Sequence, residues 1–246
     1  MKRLGLIGRT LGHSFSASYF AEKFEREGLT AEYEYSLYEL PEIAFVEEFM
    51  RYTENLLGFN VTIPYKQQII PYLDDLSSEA RNIGAVNCVK ILPDGKCVGY
   101  NTDVDGIRIS LNKLLCGVEP NGALVLGTGG ASQAVQYVLA EYSIPYNIIS
   151  RDIAKGNLTY DDLSEAVLSE HNLIINTTPV GMYPKVDDAP LINYSCLTPN
   201  HFLFDLVYNP IETQFLRMGA KYGAHTLSGL DMLYAQAEAA WNIWRE

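Results

Sequence analysis

The stretch from Gly58 to Lys66, Gly-Phe-Asn-Val-Thr-Ile-Pro-Tyr-Lys, contains side chains that can bind a polar molecule and move a proton. Apolar and polar residues alternate from Phe59 to Ile63, which predicts a half-buried β-strand with Asn60 and Thr62 on one face. Pro64 has no backbone N–H, so the strand should end there. Lys66 follows, and this segment alone favours a solvated surface charge over a proton donor.

Two serines form a second candidate site. Ser14 and Ser16 stand just before a predicted helix from about Ala17 to Glu27. Serine at this position commonly caps the free N–H groups of the helix. Hydroxyl groups beside a helix N-terminus can also bind a carboxylate. Both interpretations fit the local sequence, and the cap is favoured.

A glycine-rich turn in the middle of the chain predicts nucleotide binding. The apolar run Ala123 to Leu126 reads as a strand buried on both faces, and it leads into Gly-Thr-Gly-Gly-Ala-Ser from Gly127 to Ser132. A predicted helix to Tyr142 and a second apolar strand, 146–150, follow. This order of elements is the context that a dinucleotide-binding fingerprint requires, with Ser132 in place of its third glycine.

The end of the second strand bears on which dinucleotide would bind. Ser150, Arg151 and Asp152 stand there, with Lys155 close behind. An arginine accommodates the 2′-phosphate of NADP, whereas an acidic residue binds the ribose hydroxyl of NAD. Arg151 and Lys155 therefore favour NADP, while Asp152 keeps NAD open.

Length and composition restrict the class of protein. The 246 residues suffice for one large domain or two modest ones, and 48% hydrophobic content indicates a globular chain. A net charge of −12 argues against nucleic acid or an anionic membrane as the main partner. No apolar run is long enough to span a membrane. The four cysteines show neither C-x-x-C spacing nor a nearby histidine cluster, so we expect reduced thiols, a cytoplasmic protein and no metal site.

The order of predicted elements indicates two α/β regions. The first hundred residues read as an α/β domain with a mixed sheet, and 104–115 as a linking helix. After Lys155 the chain is too short for a full crossover helix. We therefore predict a trimmed half-domain in which Leu158 and Thr159 form a vestigial edge strand. A closing helix is expected over 229–244.

These segments together resemble the shikimate dehydrogenase family, almost from end to end. The resemblance depends on several separated motifs that occur in the family's order, which makes it far more specific than any single motif. The motifs are H-S-x-S at His13 to Ser16, G-x-N-V-T-x-P-x-K at Gly58 to Lys66, G-A-V-N at Gly84 to Asn87, N-T-D-x-x-G at Asn101 to Gly106, G-x-G-G-A at Gly127 to Ala131, D-x-x-Y-x-P-x-x-T at Asp205 to Thr213 and G-x-x-M-L-x-x-Q at Gly229 to Gln236.

The resemblance implies NADP-dependent interconversion of 3-dehydroshikimate and shikimate, with Lys66 and Asp103 as the catalytic pair. It implies that Ser14 and Ser16 hold the substrate carboxylate. The implied partners of the ring hydroxyls are Asn60, Thr62, Asn87, Asp103, Tyr208 and Gln236. The implied cofactor residues are Gly127, Gly129, Gly130 and Ala131 at the pyrophosphate, Ser150, Arg151 and Lys155 at the adenosine end, and Leu206, Gly229 and Met232 at the nicotinamide.

The implied architecture is an α/β substrate domain with a mixed sheet, residues 1–103 and 230–246, plus a Rossmann-like, doubly wound nucleotide-binding domain, residues 104–229. The active site would lie in the cleft between these domains, in a monomer or a homodimer. Two alternatives remain open. One is an NAD-accepting quinate/shikimate dehydrogenase, which Asp152 favours. The other is a non-catalytic nucleotide-sensing regulator on the same fold, which the presence of both Lys66 and Asp103 disfavours.

Overall fold

The computed structural model describes residues 1–12 and 14–246; His13 of the H-S-x-S motif lies outside the described residues. The chain divides into two compact units. The first unit comprises Met1–Thr102 and Ala237–Glu246, and the second comprises Asp103–Gln236. The domain limits expected from the sequence remain predictions. No helix of the described residues is long and apolar enough to cross a membrane.

A six-stranded mixed sheet forms the centre of the first unit. Its strands run in the order β2-β1-β3-β5-β6-β4. The pairs β1–β2, β1–β3 and β4–β6 are parallel, whereas β3–β5 and β5–β6 are antiparallel. This arrangement confirms the predicted mixed sheet. The strands are β1 (Lys2–Gly8), β2 (Tyr33–Glu39), β3 (Leu56–Val61), β4 (Asp75–Leu76), β5 (Cys88–Ile91) and β6 (Cys97–Tyr100).

The first unit also contains helices α1 (Phe15–Arg26), α2 (Val46–Tyr52) and α3 (Ser78–Ile83). A 3₁₀ turn at Ile43–Phe45 directly precedes α2, so the α-helix itself begins only at Val46. Strand β3 ends at Val61, two residues before the predicted end, since Thr62 begins a turn in which Tyr65 N donates to Thr62 O. Strand β4 has only two residues, too few for an alternating pattern to reveal it.

A five-stranded, wholly parallel sheet forms the centre of the second unit, in the order β11-β10-β9-β7-β8. Strand β7 has β9 on one side and β8 on the other, so the strand order reverses at β7. The carboxyl ends of β7 and β9 therefore border the crevice where doubly wound sheets bind ligands. The strands are β7 (Ala123–Leu126), β8 (Tyr146–Ile149), β9 (Leu173–Asn176), β10 (Phe202–Asp205) and β11 (His225–Ser228).

The second unit contains helices α4 (Asp103–Leu115), α5 (Gly130–Glu141), α6 (Glu165–Glu170) and α7 (Gln214–Lys221). The last helix, α8 (Leu230–Arg245), begins in the second unit and ends in the first. Gly106 of α4 lies against α8, because a β-carbon there would stand 2.5 Å from Met232 O. This contact leaves no room for a side chain, which accounts for the glycine that ends the N-T-D-x-x-G motif.

The span after β8 is abbreviated as the sequence predicted. It contains a 3₁₀ turn at Ile153–Lys155, and Leu158 then forms a single parallel bridge to Ile149. Ser150 N donates to Leu158 O over 3.0 Å, and Leu158 N donates to Ile148 O over 3.2 Å. One bridged residue thus occupies the position where a full edge strand would pair with β8.

The C-terminal part of α8 contributes two tryptophans to the core of the first unit. Trp241 and Trp244 are buried beside Phe20 and Phe24 of α1. The indole nitrogen of Trp244 donates to Val89 O over 3.0 Å. Gly58 lies directly against this indole, because a β-carbon at residue 58 would collide with Trp244 Nε1 and stand 2.5 Å from Val89 O. Packing against Trp244 therefore requires a glycine at position 58, the start of the Gly58 to Lys66 segment.

We expect Gly58→Ala to destabilise the protein by at least about 1–3 kcal/mol, the usual cost of overpacking a well-packed core. Gly12→Ala is a suitable control, since a β-carbon at residue 12 meets no atom within 4 Å. Denaturant unfolding monitored by tryptophan fluorescence would measure both changes. Equal stability of the two variants would contradict the packing role of Gly58.

Candidate active site

The side chain of Asn60 is held inside the first unit by two hydrogen bonds. Its Oδ1 accepts from the Tyr35 hydroxyl over 2.8 Å, and its Nδ2 donates to Asn87 O over 3.1 Å. The Tyr35 hydroxyl is also hydrogen-bonded to the side chain of Ser16. Burial raises the pKa of the Tyr35 hydroxyl, so this group stays protonated and can donate. The half-buried Tyr35 therefore links Ser16 to Asn60, and Asn60 is linked in turn to Asn87.

Asn87 continues this network to the end of the first unit. Its Oδ1 accepts from Thr102 N over 2.7 Å, and its Nδ2 contacts Thr102 Oγ1 at 3.1 Å. The neighbouring Asn101 donates from Nδ2 to Ala85 O over 2.9 Å. Asn87, Asn101 and Thr102 are all buried. Two amide side chains thus fix the backbone that leads directly to Asp103.

Asp103 is the first residue of α4 and is buried. A carboxylate in the first turn of a helix is stabilised by the helix dipole. Asp103 belongs to the second unit and Lys66 to the first. The pairing of Lys66 with Asp103 stays a prediction.

The backbone of Lys66 is held by its neighbours. Val86 N donates to Lys66 O over 2.7 Å, and the preceding Tyr65 is fully buried with its hydroxyl donating to Leu40 O over 2.6 Å. Thr62 N donates to Ile7 O over 3.0 Å as the chain leaves β3. Thr62 and Lys66 are both half-buried. Their side chains therefore extend from a rigid turn and stay accessible.

Ser14 is the N-cap of α1, and its Oγ accepts from Ser16 N over 3.3 Å. The capping interpretation of Ser14 is therefore confirmed. Both serines are half-buried. Their role in binding a carboxylate stays a prediction.

The glycine-rich turn follows β7 at the point where the strand order reverses. Gly127 has φ of +112°, and a β-carbon there would lie 2.8 Å from Thr177 Oγ1. Thr177 Oγ1 donates to Leu126 O over 2.6 Å, and Ser132 Oγ donates to Gly127 O over 2.7 Å. Ser132, which replaces the third glycine of the fingerprint, is fully buried and closes the turn.

The end of this turn fits a pyrophosphate. Gly129 is the N-cap residue of α5, no side chain caps the helix there, and a β-carbon on Gly129 would meet no atom within 4 Å. Gly129 is exposed, and Gly130 and Ala131 are half-exposed. A helix N-terminus with open space and uncapped N–H groups suits a phosphate oxygen. The four residues predicted for the pyrophosphate thus lie together at a site of matching chemistry.

The residues after β8 present two cations. Arg151 and Lys155 are both exposed, whereas Ser150 is buried and its Oγ accepts from Asp152 N over 3.1 Å. Asp152 caps the following 3₁₀ turn, with Oδ1 accepting from Ala154 N over 3.1 Å. Its Oδ2 lies 3.9 Å from Lys155 Nζ. The carboxylate of Asp152 therefore has local backbone and lysine partners.

The residues predicted at the nicotinamide lie near one another in the second unit. Gly229 is buried against Leu206, because a β-carbon on Gly229 would collide with Leu206 O. Gly229 N donates to Val207 O over 3.2 Å. Met232 follows on α8, where it is buried against Gly106. Tyr208 and Gln236 are half-buried, and Gln236 Nε2 donates to Leu233 O over 3.0 Å.

A buried carboxylate that the sequence reasoning missed lies at the end of β10. Asp205 is fully buried and accepts from Asn176 Nδ2 over 2.9 Å, from Val207 N over 3.0 Å and from Thr213 Oγ1 over 2.6 Å. Burial raises the pKa of the Asp205 carboxyl from 3.8 to about 6, against the opposing effect of these hydrogen bonds. The signal was available, because Asp205 and Thr213 are the two ends of the D-x-x-Y-x-P-x-x-T motif.

Tyr35 and Thr102 were missed as well. Tyr35 lies on β2, and nothing in the local sequence indicates that its hydroxyl reaches Asn60. Thr102 stood inside the N-T-D-x-x-G motif without an assigned role. Both residues act through long-range contacts, of 25 and 15 residues along the chain, that a local pattern does not contain.

One unit has a parallel sheet with an uncapped glycine-rich turn at its switch point, and the other buries amide side chains and carries a half-buried lysine; these are features of a dinucleotide-dependent oxidoreductase. Residues 6–89 match the family model described as the shikimate dehydrogenase substrate binding domain. A shikimate dehydrogenase (NADP⁺) from Clostridium beijerinckii is 40% identical over 262 residues, covering 100% of this chain and 93% of that protein. The chain belongs to the shikimate dehydrogenase family.

Solved structures agree with this assignment. A shikimate dehydrogenase in complex with NADP⁺ superposes with a TM-score of 0.86 at 35% identity, covering 99% of this chain and 90% of that one. A quinate dehydrogenase from Corynebacterium glutamicum in complex with NAD superposes with a TM-score of 0.87 at 26% identity, covering 99% and 93%. These structures confirm the predicted pairing of a substrate-binding unit with a Rossmann-like unit.

We expect Asp205→Asn to alter the pH dependence of stability. The folded-state pKa of Asp205 is raised, so its contribution to stability is complete below about pH 4 and is lost as the pH rises through about 6. Tyr194 also faces Asp205, but burial raises the pKa of its hydroxyl and keeps it neutral over this range. Relative to the asparagine variant, the wild type should lose on the order of 3 kcal/mol of unfolding free energy across that interval.

Denaturant unfolding of both proteins at a series of pH values from about 4 to 7 measures this difference. The informative quantity is the change in the gap between the two curves, because the substitution also alters the hydrogen bond to Thr213. A gap that stays constant over the whole range would contradict titration of Asp205.

Proposed function

We propose that the protein catalyses the reversible NADPH-dependent reduction of 3-dehydroshikimate to shikimate. The observation that carries this proposal is that a chain similar to shikimate dehydrogenases over its whole length contains both members of the implied acid–base pair, Lys66 and Asp103. The rigid turn around Lys66 and the buried amides that lead to Asp103 support it.

Reduction of a ring ketone requires a hydride and a proton on the oxygen. The nicotinamide supplies the hydride. Lys66 donates the proton to the carbonyl oxygen and, as an ammonium, stabilises the negative charge that develops there. Asp103 orients the amine and favours its charged form. In the direction of shikimate oxidation, Lys66 accepts the hydroxyl proton as a neutral amine.

A polyhydroxylated ring acid explains the polar side chains of the predicted site. Ser14 and Ser16 bind the carboxylate, and Asn60, Thr62, Asn87, Asp103, Tyr208 and Gln236 pair with the ring hydroxyls. A site built from such groups rejects analogues that lack a hydroxyl, since a buried polar group is then left without a partner. Tyr35 keeps Asn60 in a fixed orientation, which preorganises this part of the site.

NADP is the proposed cofactor. Gly127, Gly129, Gly130 and Ala131 hold the pyrophosphate, Arg151 and Lys155 hold the 2′-phosphate beside Ser150, and Leu206, Gly229 and Met232 border the nicotinamide. Asp152 does not count against this choice, because its carboxylate caps the 3₁₀ turn at Ile153–Lys155. A carboxylate already used as a cap is a weaker partner for the ribose hydroxyls of NAD.

Two alternatives differ in their support. An NAD-accepting quinate/shikimate dehydrogenase is supported by the presence of Asp152 and by the fold similarity to the NAD-bound quinate dehydrogenase. A non-catalytic nucleotide-sensing regulator would share the fold but has no need of Lys66 and Asp103. We further infer a cytoplasmic monomer or homodimer with small-molecule substrates, consistent with the four free cysteines and the net charge of −12.

An absorbance assay separates these functions. Purified protein is incubated with shikimate or quinate and with NADP⁺ or NAD⁺, and reduced nicotinamide is followed at its characteristic wavelength. We expect turnover with shikimate and NADP⁺. Faster turnover with quinate and NAD⁺ would favour the first alternative, and no signal in any combination would reject both enzymatic functions.

Lys66→Ala should lower kcat for shikimate oxidation by about 10²–10⁴-fold, the usual contribution of a positioned acid–base group. Lys96→Ala is the matched control, because Lys96 is an exposed lysine in a surface ion pair with Asp94. Thermal melts of both variants verify folding. Near wild-type turnover of Lys66→Ala would exclude Lys66 as the proton donor.

Substitutions at Arg151 and Asp152 test the cofactor preference. Arg151→Ala should raise KM for NADP⁺ by about 10-fold or more, the value of a charge-assisted hydrogen bond, without a comparable change for NAD⁺. Asp152→Asn keeps an oxygen that can cap the turn and should leave KM for NAD⁺ unchanged. Arg81→Ala, at an exposed arginine of the first unit, is the control. A rise in KM for NAD⁺ in Asp152→Asn would instead assign Asp152 to the ribose.

A further inference from the structure

The carboxylate of Asp205 connects two loops at the carboxyl edge of the parallel sheet. The first loop follows β9, and Asn176 at its start donates from Nδ2 to Asp205 Oδ1 and also to Val180 O, over 2.9 and 3.3 Å. The second loop follows β10, and its Val207 N–H and Thr213 hydroxyl donate to Asp205 Oδ1 and Oδ2. One buried carboxylate thus accepts from both loops.

The second loop begins and ends on this carboxylate. Asp205 precedes it, Val207 is bound near its start, and Thr213 is bound at its end, where Thr213 also caps α7 by accepting from Leu216 N over 3.4 Å. The two loops are further joined by a hydrogen bond of 3.0 Å from Tyr183 N to Asn209 O. The eight-residue segment 206–213 is therefore closed by a single side chain.

Segment 206–213 contains two of the predicted site residues. Leu206 N donates to Asn176 O over 3.0 Å, which fixes it at the end of β9, and Gly229 lies against its carbonyl. Tyr208 follows Val207, whose N–H is bound by the carboxylate. A displacement of Val207 would move both neighbours, because each is one residue away.

A carboxylate is the group that this arrangement requires. Its two oxygens accept from three neutral donors, whereas an amide of the same shape accepts only on one oxygen, and its N–H₂ group must donate to a Thr213 hydroxyl that already accepts from Leu216 N. Burying an ionised carboxyl among neutral donors works against stability, as the raised pKa of Asp205 shows. Asp205 carries its charge at a cost in free energy and binds the chain on both sides of Tyr208. This combination indicates a role in positioning the segment that contains Tyr208.

We propose that Asp205 is a positioning residue, which holds segment 206–213 through Val207 and Thr213 so that Tyr208 and Leu206 face the substrate and the nicotinamide. The proposal rests on the proposed function of the site. Asp205 itself acts through the loop and not through contact with the reacting atoms.

Two substitutions at the carboxylate and its partner test the proposal. Thr213→Val removes the hydroxyl that binds Asp205, whereas Thr213→Ser retains it. We expect KM for shikimate to rise about tenfold in Thr213→Val and in Asp205→Asn, the equivalent of one buried hydrogen bond, and to stay near the wild-type value in Thr213→Ser. Ser164→Ala removes the side-chain cap of α6 in the same unit and is the control for a general loss of stability.

Hydrogen exchange provides a readout that does not depend on activity. The amides of residues 206–212, Val207 above all, should exchange faster in Asp205→Asn and Thr213→Val than in the wild type, in Thr213→Ser or in Ser164→Ala. Because Asp205→Asn changes only one atom of the side chain, it serves as the second variant should Thr213→Val fail to fold.

The outcomes separate the two hypotheses. An inactive wild-type protein would reject the proposed function, and the exchange data alone would then decide whether Asp205 holds the loop. An active wild type with unchanged KM in Asp205→Asn and Thr213→Val would overturn the positioning role. Unchanged exchange of segment 206–212 in both variants would overturn it whatever the turnover.

Discussion

The side chain of Asn87 accepts a hydrogen bond from Thr102 N, and its backbone carbonyl accepts another from Asn60. Both asparagines are buried, and a buried amide without partners would cost on the order of 1–3 kcal/mol. Satisfying Asn60 and Asn87 therefore fixes the end of β3, the start of β5 and the chain that enters α4. The same contacts hold side chains whose chemistry suits a polyhydroxylated ring.

In the second unit, other polar side chains fix the backbone through hydrogen bonds. Polar side chains stand at or just past the carboxyl ends of β9 and β10, where they hydrogen-bond to the backbone of β7 and of the loops that follow β9 and β10. Thr177 donates to Leu126 O, Asn176 donates to Val180 O, and Asp205 accepts from both loops that follow β9 and β10. The side chains that fix these loops also make this edge of the sheet polar, and such polarity suits a dinucleotide and a hydroxylated substrate.

Strong local patterns gave the elements that the structure contains. The apolar run Ala123–Leu126 is a strand with the predicted limits, and the glycine-rich turn and the trimmed span after Lys155 lie where the sequence placed them. The sequence could not indicate the partners of Tyr35 and Thr102, because each acts across a tertiary contact, and for Asp205 it contained Thr213 in the same motif but not the distant Asn176. Local alternation describes a side chain's face but not which residue it meets.

The abbreviated span after β8 shows how few contacts position the cations that follow this strand. Asn157 Oδ1 accepts from Ile148 N over 2.9 Å, and Gly156 lies against Ile148 O, so the outer edge of β8 is satisfied without a full strand. Arg151 and Lys155 lie on the turn that follows β8. The side chains of Ser150 and Asp152 accept hydrogen bonds from the backbone of this turn. Because this turn is held by hydrogen bonds among its own residues, substitutions in it need not disturb the core of the sheet. Local substitutions can therefore change the charge that this turn presents while the fold is preserved.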